Sequence, residues 1–254
     1  MYTDSHAHIS NDQFADTIEE ILLRAQAANV TTIVNMCTDI DSLKRGLELH
    51  RRYPWILNAA ATTPNNAERE GEQVFPIISK HAHSNDFVAI GETGLDYYYQ
   101  HSSHDVQQKF LKKYFRLALE CKLPVIIHCR DAFDDLFDIA DEEYIESPAA
   151  LHCFTGTMND ARRVLDRGWY LSLSGIVTFK NSGSLRDIAS FVPLGRLLIE
   201  TDSPYLAPQS KRGKVNEPSF LPEIAKTIAN IKGITIEEIA ETTSKNAKHL
   251  FTIQ

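Results

Sequence analysis

Short runs rich in β-branched and apolar residues recur along the chain, separated by longer stretches in which apolar positions return every three or four residues. Eight runs read as strands: Tyr2 to His8, Thr31 to Thr38, Trp55 to Thr62, Phe87 to Gly94, Pro124 to Arg130, Ala149 to Thr155, Trp169 to Val177 and Arg196 to Ser203. Between them, Phe14 to Ala28 places Ile18, Ile21, Leu22 and Ala25 on one helical face, and Val106 to Cys121 does the same with Phe110, Tyr114, Leu117 and Cys121. Val125-Ile126-Ile127 and Leu197-Leu198-Ile199 are continuous apolar runs, the pattern of parallel strands covered on both faces. An open nucleotide-binding sheet would carry a glycine-rich loop after the first strand; His6-Ala7-His8 stands there, and the chain has no G-x-G-x-x-G. Ser219 to Ile231 and Thr235 to Leu250 read as two further helices. The expectation is an α/β fold, a (β/α)8 TIM-type barrel spanning residues 1–254 as a single domain, with an extra C-terminal helix.

Composition narrows the function. With 254 residues, 43% of them hydrophobic, the chain can bury one sizeable core without metals or disulfides. A net charge of -8, from 26 Lys plus Arg against 34 Asp plus Glu, argues against sequence-independent coating of nucleic acid and leaves room only for a local basic patch. No apolar run approaches the roughly 18 residues of a membrane span, and Met1 leads at once into polar Asp4-Ser5-His6, so a cytoplasmic protein without a membrane partner is expected. Cys37, Cys121, Cys129 and Cys153 lack C-x-x-C spacing and read as reduced core residues. Cys129 and Cys153 each follow a histidine, and strand alternation would turn them away from it, toward the helices.

Strand position separates candidate ligands from ordinary histidines. His6 and His8 are two residues apart at the end of the first strand, so both would face the barrel interior at the C-terminal rim where such barrels build active sites. His81 and His83 share that spacing but precede the fourth strand, and read as solvated turn residues at the opposite rim. The same test selects Glu92, His128, His152 and Asp202. Any one of these could be a hydrogen-bonded core residue. Together, four imidazoles and two carboxylates in a low-dielectric cup would be costly to bury unpaired, and divalent cations would satisfy them at once.

Six ligands exceed one tetrahedral ion, which points to two metals roughly 3.5 to 4 Å apart. His6, His8 and Asp202 would hold one, His128 and His152 the other, with Glu92 bridging; the mixed donors suit Zn, Mn, Fe or Co, and an all-oxygen shell would have suited Mg better. The sequence does not choose among Mg, Mn, Zn and Co. A metal-activated water makes the reaction hydrolysis, with Asp202 also taking or orienting the proton. Asp4 and Glu200, two residues before His6 and Asp202, would orient the ligand imidazoles or else serve ordinary core hydrogen bonds. Arg130 and the loop residues Lys211, Arg212 and Lys214 are suited to phosphate oxygens, against the plainer alternative of a solvated charge run.

Asp4-Ser5-His6-Ala7-His8, Gly91-Glu92-Thr93-Gly94-Leu95-Asp96-Tyr97, His128-Cys129-Arg130-Asp131-Ala132, His152-Cys153-Phe154-Thr155-Gly156, Glu200-Thr201-Asp202-Ser203-Pro204 and Arg212-Gly213-Lys214-Val215-Asn216-Glu217-Pro218 occur in this order, and together the chain resembles the TatD family of deoxyribonucleases from residue 4 to residue 218. The resemblance implies a TIM-type barrel and a metal-dependent hydrolase with nuclease activity. It implies that His6, His8, Glu92, His128, His152 and Asp202 ligate metal, and that Arg130 and the loop around Lys211 approach a nucleic-acid backbone. One motif departs: the family's Gly-x-His-Pro-His is Ala61-Thr62-Thr63-Pro64-Asn65 here, with Thr63 in the place of a histidine at the rim of the site, where it would touch substrate. Two rivals stand beside the deoxyribonuclease: a barrel hydrolase of esters or amides (lactonase, amidohydrolase or aminoacyl-tRNA deacylase) and a barrel retained only as a binding module. Many amidohydrolases bridge their metals with a modified lysine on the fourth strand; this chain has no lysine between Lys80 and Lys109, which favours the nuclease branch. The acidic balance points to short or single-stranded DNA ends as substrate.

Overall fold

The computed structural model describes residues 1–253; Gln254, the last residue of the expected 1–254 domain, lies outside them. Eight strands follow one another around a sheet in chain order: β1 (Tyr2–Ala7), β2 (Val30–Cys37), β3 (Ile56–Ala60), β4 (Ala89–Asp96), β5 (Val125–Arg130), β6 (Ala149–Leu151), β7 (Tyr170–Leu173) and β8 (Leu197–Ile199). Each neighbouring pair is parallel. The ring closes between β1 and the segment after β8, where the Asp202 amide donates to the His6 carbonyl (2.9 Å) and the His8 amide to the Ser203 carbonyl (2.7 Å).

Helices α1 (Ile18–Ala27), α2 (Ile40–Arg52), α3 (Ala67–His83), α4 (His104–Cys121), α5 (Phe133–Glu143), α6 (Met158–Asp166) and α7 (Gly183–Phe191) connect the strands in turn, and α8 (Leu221–Lys232) and α9 (Ile236–Leu250) follow β8. This is the expected barrel with its extra C-terminal helix. The start of α2 shows how locally these elements are specified: the Asp39 carboxylate accepts from the Ser42 amide at 2.7 Å, and the Ser42 hydroxyl accepts from the Asp39 amide, a reciprocal cap.

Two apolar clusters divide the core by strand parity. The larger lies between strands and helices and includes Ile33, Val125, Ile127, Leu171, Leu197 and Ile199. The smaller fills the barrel interior with one or two residues from each of β2 to β8: Val34, Met36, Ala59, Ala89, Ile126, Ala150, Tyr170 and Leu198. Ala247, Leu250 and Phe251 belong to that cluster, so the end of α9 stoppers the barrel floor. Interior parity then carries β5 from Ile126 to His128, β6 from Ala150 to His152 and β8 from Leu198 to Glu200. On β4 the parity switches: Ala89 is interior and Ile90 lies outside, yet Glu92 faces inward, and the β4–β5 register shifts between Ile90 and Thr93.

Three expectations need correction. β6 and β8 stop earlier than expected, because Cys153 (φ 43°) and Asp202 (φ 56°) take left-handed backbone conformations that cannot continue a strand. His81 and His83 lie in the last turn of α3, not in a turn; His81 Nδ1 is 2.7 Å from Asp86 Oδ2 and His83 Nδ1 2.7 Å from the Ser79 carbonyl. The first helix starts at Ile18, later than the expected Phe14, which ends a short 3-10 turn. Among the described residues, no helix is long and apolar enough to cross a membrane.

Candidate metal centre

At the C-terminal rim the end of β1 brings the Nε2 atoms of His6 and His8 to 3.2 Å from each other. Across the mouth, His128 Nδ1 and His152 Nε2 lie 3.1 Å apart. Glu92 divides its carboxylate between these pairs. Its Oε2 lies 3.6 Å from His6 Nε2 and 3.5 Å from His8 Nε2, and its Oε1 lies 3.1 Å from His128 Nδ1 and 3.0 Å from His152 Nε2. Asp202 Oδ1 joins the first pair, at 3.5 Å from His6 Nε2 and 3.4 Å from His8 Nε2. All six side chains that the sequence singled out therefore converge, and their ligand atoms form overlapping groups with the spacing to hold cations.

Burial makes this cluster electrostatically tense. Glu92 is driven up by desolvation, but His152, His128 and His6 outweigh burial and hold its carboxyl well below the usual carboxylate range. Burial lowers His6 well below an ordinary histidine, reinforced by His152, with which it stacks at 3.9 Å. For His152 burial is overcome by Glu92 and Glu200, which raise it well above the ordinary value; for His8 it is overcome by Asp202 and Glu92. Ring nitrogens that face each other across 3.2 Å with carboxylates around them are poorly satisfied by protons alone, since each shared proton leaves another lone pair opposed. His6 Nδ1 is buried without any partner.

The surrounding residues fix the rings. Asp96 Oδ2 lies 2.9 Å from His128 Nε2, while Asp96 Oδ1 accepts from the amides of Tyr98 (3.1 Å) and Tyr99 (2.9 Å). Burial works against ionisation of Asp96, but His128 and the Tyr99 amide draw its pKa below the ordinary value. Glu200 Oε1 accepts from the Cys153 amide at 2.6 Å and stands 3.4 Å from His152 Nδ1, not aligned for a full hydrogen bond. Asp4 takes the second of its two expected roles, core hydrogen bonding. Its carboxylate accepts from the Thr201 amide (2.9 Å), the Thr201 hydroxyl (2.6 Å) and the His6 amide (3.4 Å), and contacts no imidazole, so it ties β1 to the loop bearing Asp202. Burial pushes its pKa up to about 7.

A cavity of about 700 Å³ opens above the cluster, with Thr63, Asn65, Tyr99, Arg130, Cys153 and Tyr205 in its wall. Thr63 and Arg130 are thus beside the carboxylates and imidazoles, and the Arg130 guanidinium lies 3.6 Å over the ring of Tyr98. Lys211, Arg212 and Lys214 do not line this cavity. Lys211 pairs with Glu223 at 3.6 Å, Arg212 lies over Phe179 at 4.5 Å, and Arg212 and Lys214 are exposed. Their sequence block serves the site through Asn216, whose buried Nδ2 donates to the carbonyls of Thr201 (2.7 Å) and Tyr205 (2.6 Å), bracing the loop around Asp202. Cys153 also departs from expectation. Its left-handed backbone breaks the alternation and turns it into the cavity wall, 3.2 Å from Ser174 Oγ, where burial, then Asp202 and Glu200, raise its thiol well above the usual range.

Sequence reasoning missed Asp96, Asn65, Tyr99, Tyr205 and Asn216. Asp96 left a usable signal, four residues after Glu92 and so on the same face of β4. Asn65 left one too, within the departing motif; its Nδ2 donates to Asp96 Oδ2 at 3.4 Å. The two tyrosines left none, since nothing local says that loops after β4 and β8 border one cavity.

The profile of the family described as TatD related DNase matches residues 3–252. The chain is 40% identical over 254 residues to the uncharacterized metal-dependent hydrolase YabD of Bacillus subtilis, covering 100% of each. It is 33% identical over 256 residues to the 3'-5' ssDNA/RNA exonuclease TatD of Salmonella typhimurium, covering 98% of each. Its fold superposes on the crystal structure of YJJV, a TatD homolog from Escherichia coli K12, with a TM-score of 0.94 at 26% identity, covering 100% of this chain and 98% of the other.

Proposed function

The chain belongs to the TatD-related DNase family, a family of metal-dependent hydrolases, and from that premise we propose that it cleaves phosphodiester bonds of DNA at unpaired ends, using two divalent ions. The observation that carries this reading is the division of the Glu92 carboxylate, one oxygen toward His6 and His8, the other toward His128 and His152. The donor set fits cations: ring nitrogens opposed at 3.2 and 3.1 Å among two carboxylates are poorly satisfied by shared protons and well satisfied by a cation between them. His6, His8 and Asp202 would hold one ion, His128 and His152 the other, and Glu92 both. When bound, such ions supply Lewis acidity toward phosphoryl oxygens and an acidified water.

The chain's own residues do the rest. The Asp202 carboxylate, at the cavity wall, accepts the proton of the attacking water. Arg130 presents a guanidinium fork to phosphate oxygens, its plane supported by Tyr98. Asp96 fixes the His128 ring through Nε2, leaving Nδ1 directed at Glu92. Asp96→Ala should therefore weaken metal binding and kcat/KM by roughly 10- to 100-fold with little change in fold, measured by metal titration against circular dichroism. Unchanged affinity would mean that His128 needs no such brace.

Nucleotide release from short labelled single-stranded DNA by the metal-stripped protein, with Mg, Mn, Co or Zn restored, tests the reading. Metal-dependent release supports it. Absence of release with every metal, despite metal uptake, favours the ester or amide hydrolase, with Thr63 marking the change of substrate. Thr63 lies in the cavity wall and lacks the family's imidazole, so Thr63→His is expected to raise kcat/KM on DNA by about tenfold. Identical kinetics of the variant on every DNA tried would remove Thr63 from substrate contact.

A further inference from the structure

Two half-exposed aromatic rings border the cavity, and nothing in the proposed hydrolysis uses them. Tyr99 is 45% exposed and Tyr205 is 51% exposed, although burial of a tyrosine ring is normally favourable. Tyr99 follows β4 and Tyr205 follows β8. In a closed ring of eight strands in sequential order these strands are four places apart, so the loops after them face each other across the mouth. Both rings line the same cavity as the carboxylates and imidazoles.

Each ring is held at its base and keeps about half its surface open, although the His101 ring lies parallel to that of Tyr99 at 5.8 Å. The Tyr99 amide donates to Asp96 at 2.9 Å, the brace of His128, and its ring lies 4.9 Å from that of Tyr98 in an edge-on contact. The Tyr205 amide donates to the carbonyl of Asp202 at 2.9 Å, its hydroxyl accepts from Asn11 at 3.4 Å, and its ring meets His8 edge-on at 5.7 Å. Arg130, in the same cavity wall, lies 5.0 Å over Tyr99. A phosphate at Arg130 thus has Tyr99 beside it and Tyr205 elsewhere in the same cavity wall. The chain is acidic overall, with net charge -8, so strand capture cannot rest on a broad basic groove. Aromatic faces that accept any base supply sequence-tolerant attraction without charge, and only to bases that are unpaired and free to turn.

We propose that Tyr99 and Tyr205 form a two-sided stacking clamp for the unpaired bases flanking the scissile phosphate, and that this clamp sets the requirement for single-stranded ends. The clamp rests on the nuclease reading above. It acts on strand binding, so its loss appears in KM, with kcat left to the metal-ligating cluster.

The test compares Tyr99→Ala, Tyr205→Ala and the corresponding Phe variants on a short single-stranded DNA and on the same strand with abasic nucleotides at both ends. On the natural strand each Ala variant should raise KM roughly tenfold with kcat within about twofold, and each Phe variant should stay close to wild type. On the abasic strand wild type itself should show the raised KM, and the effect of each Ala substitution should shrink to less than about twofold. Ala variants that match wild type on the natural strand, that lose equally on both strands, or that Phe fails to rescue overturn the clamp alone. Wild type that cleaves neither strand with any of the four metals overturns the nuclease reading, and the clamp with it.

Discussion

Glu92→Ala is expected to lower kcat/KM on single-stranded DNA by roughly 10³-fold, a loss of about 4 kcal/mol of transition-state stabilisation, while the barrel stays folded. Among the described residues, Glu92 alone brings a carboxylate within 3.6 Å of both imidazole pairs. Its removal leaves His6, His8 and Asp202 on one side and His128 and His152 on the other, with nothing to set the distance between two ions. Metal content should fall below that of the wild type, read by elemental analysis after dialysis against the working metal. Stability should change little, because the imidazoles that surround the Glu92 carboxylate can become neutral once it is removed and so leave no unpaired buried charge. A variant that keeps both its metal content and its turnover would exclude Glu92 as the bridge. A variant that loses turnover through unfolding, seen in circular dichroism, would make its role structural.

Gly94→Ala is expected to be the most damaging single-methyl change in the site, costing more than about 4 kcal/mol of stability. Gly94 has φ 149°, a conformation that side chains avoid, and a Cβ placed there would lie 1.8 Å from the carbonyl oxygen and 2.9 Å from the amide nitrogen of His128. Gly94 is the register partner of His128 on β5, so the two strands would have to part where both carry site residues. The damage should reach chemistry too, since Glu92 and Asp96 lie two residues to either side on the same strand. Gly213→Ala is the control for backbone conformation alone. Its φ is 82° and nothing lies within 4 Å of the added carbon, so it should cost only about 1 to 2 kcal/mol. Urea denaturation of the two variants separates the terms. Equal, small losses would show that β5 can yield at His128 without cost.

Much of the site was legible because strand parity is local. His6 and His8 sit on one face of β1 by their spacing, and His128 and His152 follow Ile126 and Ala150 of the barrel interior in step. His81 and His83 were separable from them by position, at the far end of a connecting helix. Asp96 is equally legible by spacing, two steps beyond Glu92, but lies past Gly94, where the sequence pattern ends the fourth strand. Parity failed where the backbone left the strand. Cys153 was assigned to the helix side by alternation, and its left-handed φ of 43° instead brings it to the cavity. The cluster Lys211, Arg212 and Lys214 was placed by chain order after β8, but that loop turns so that Asn216 braces the site while Lys211 pairs with Glu223.

The sequence by itself determined the (β/α)8 succession, the faces of most strands and the chemistry of the six converging side chains, because hydrophobic period and residue type are properties of a few neighbouring positions. Only the tertiary structure decided how those faces meet. The shift between Ile90 and Thr93 turns Glu92 inward against the parity of Ala89, and the bonds from Asp202 to His6 and from His8 to Ser203 close the ring. Closure brings residues 6 and 202 into contact and sets Tyr99 opposite Tyr205. Such contacts depend on the sum of twists around the whole barrel, which no local stretch of sequence encodes.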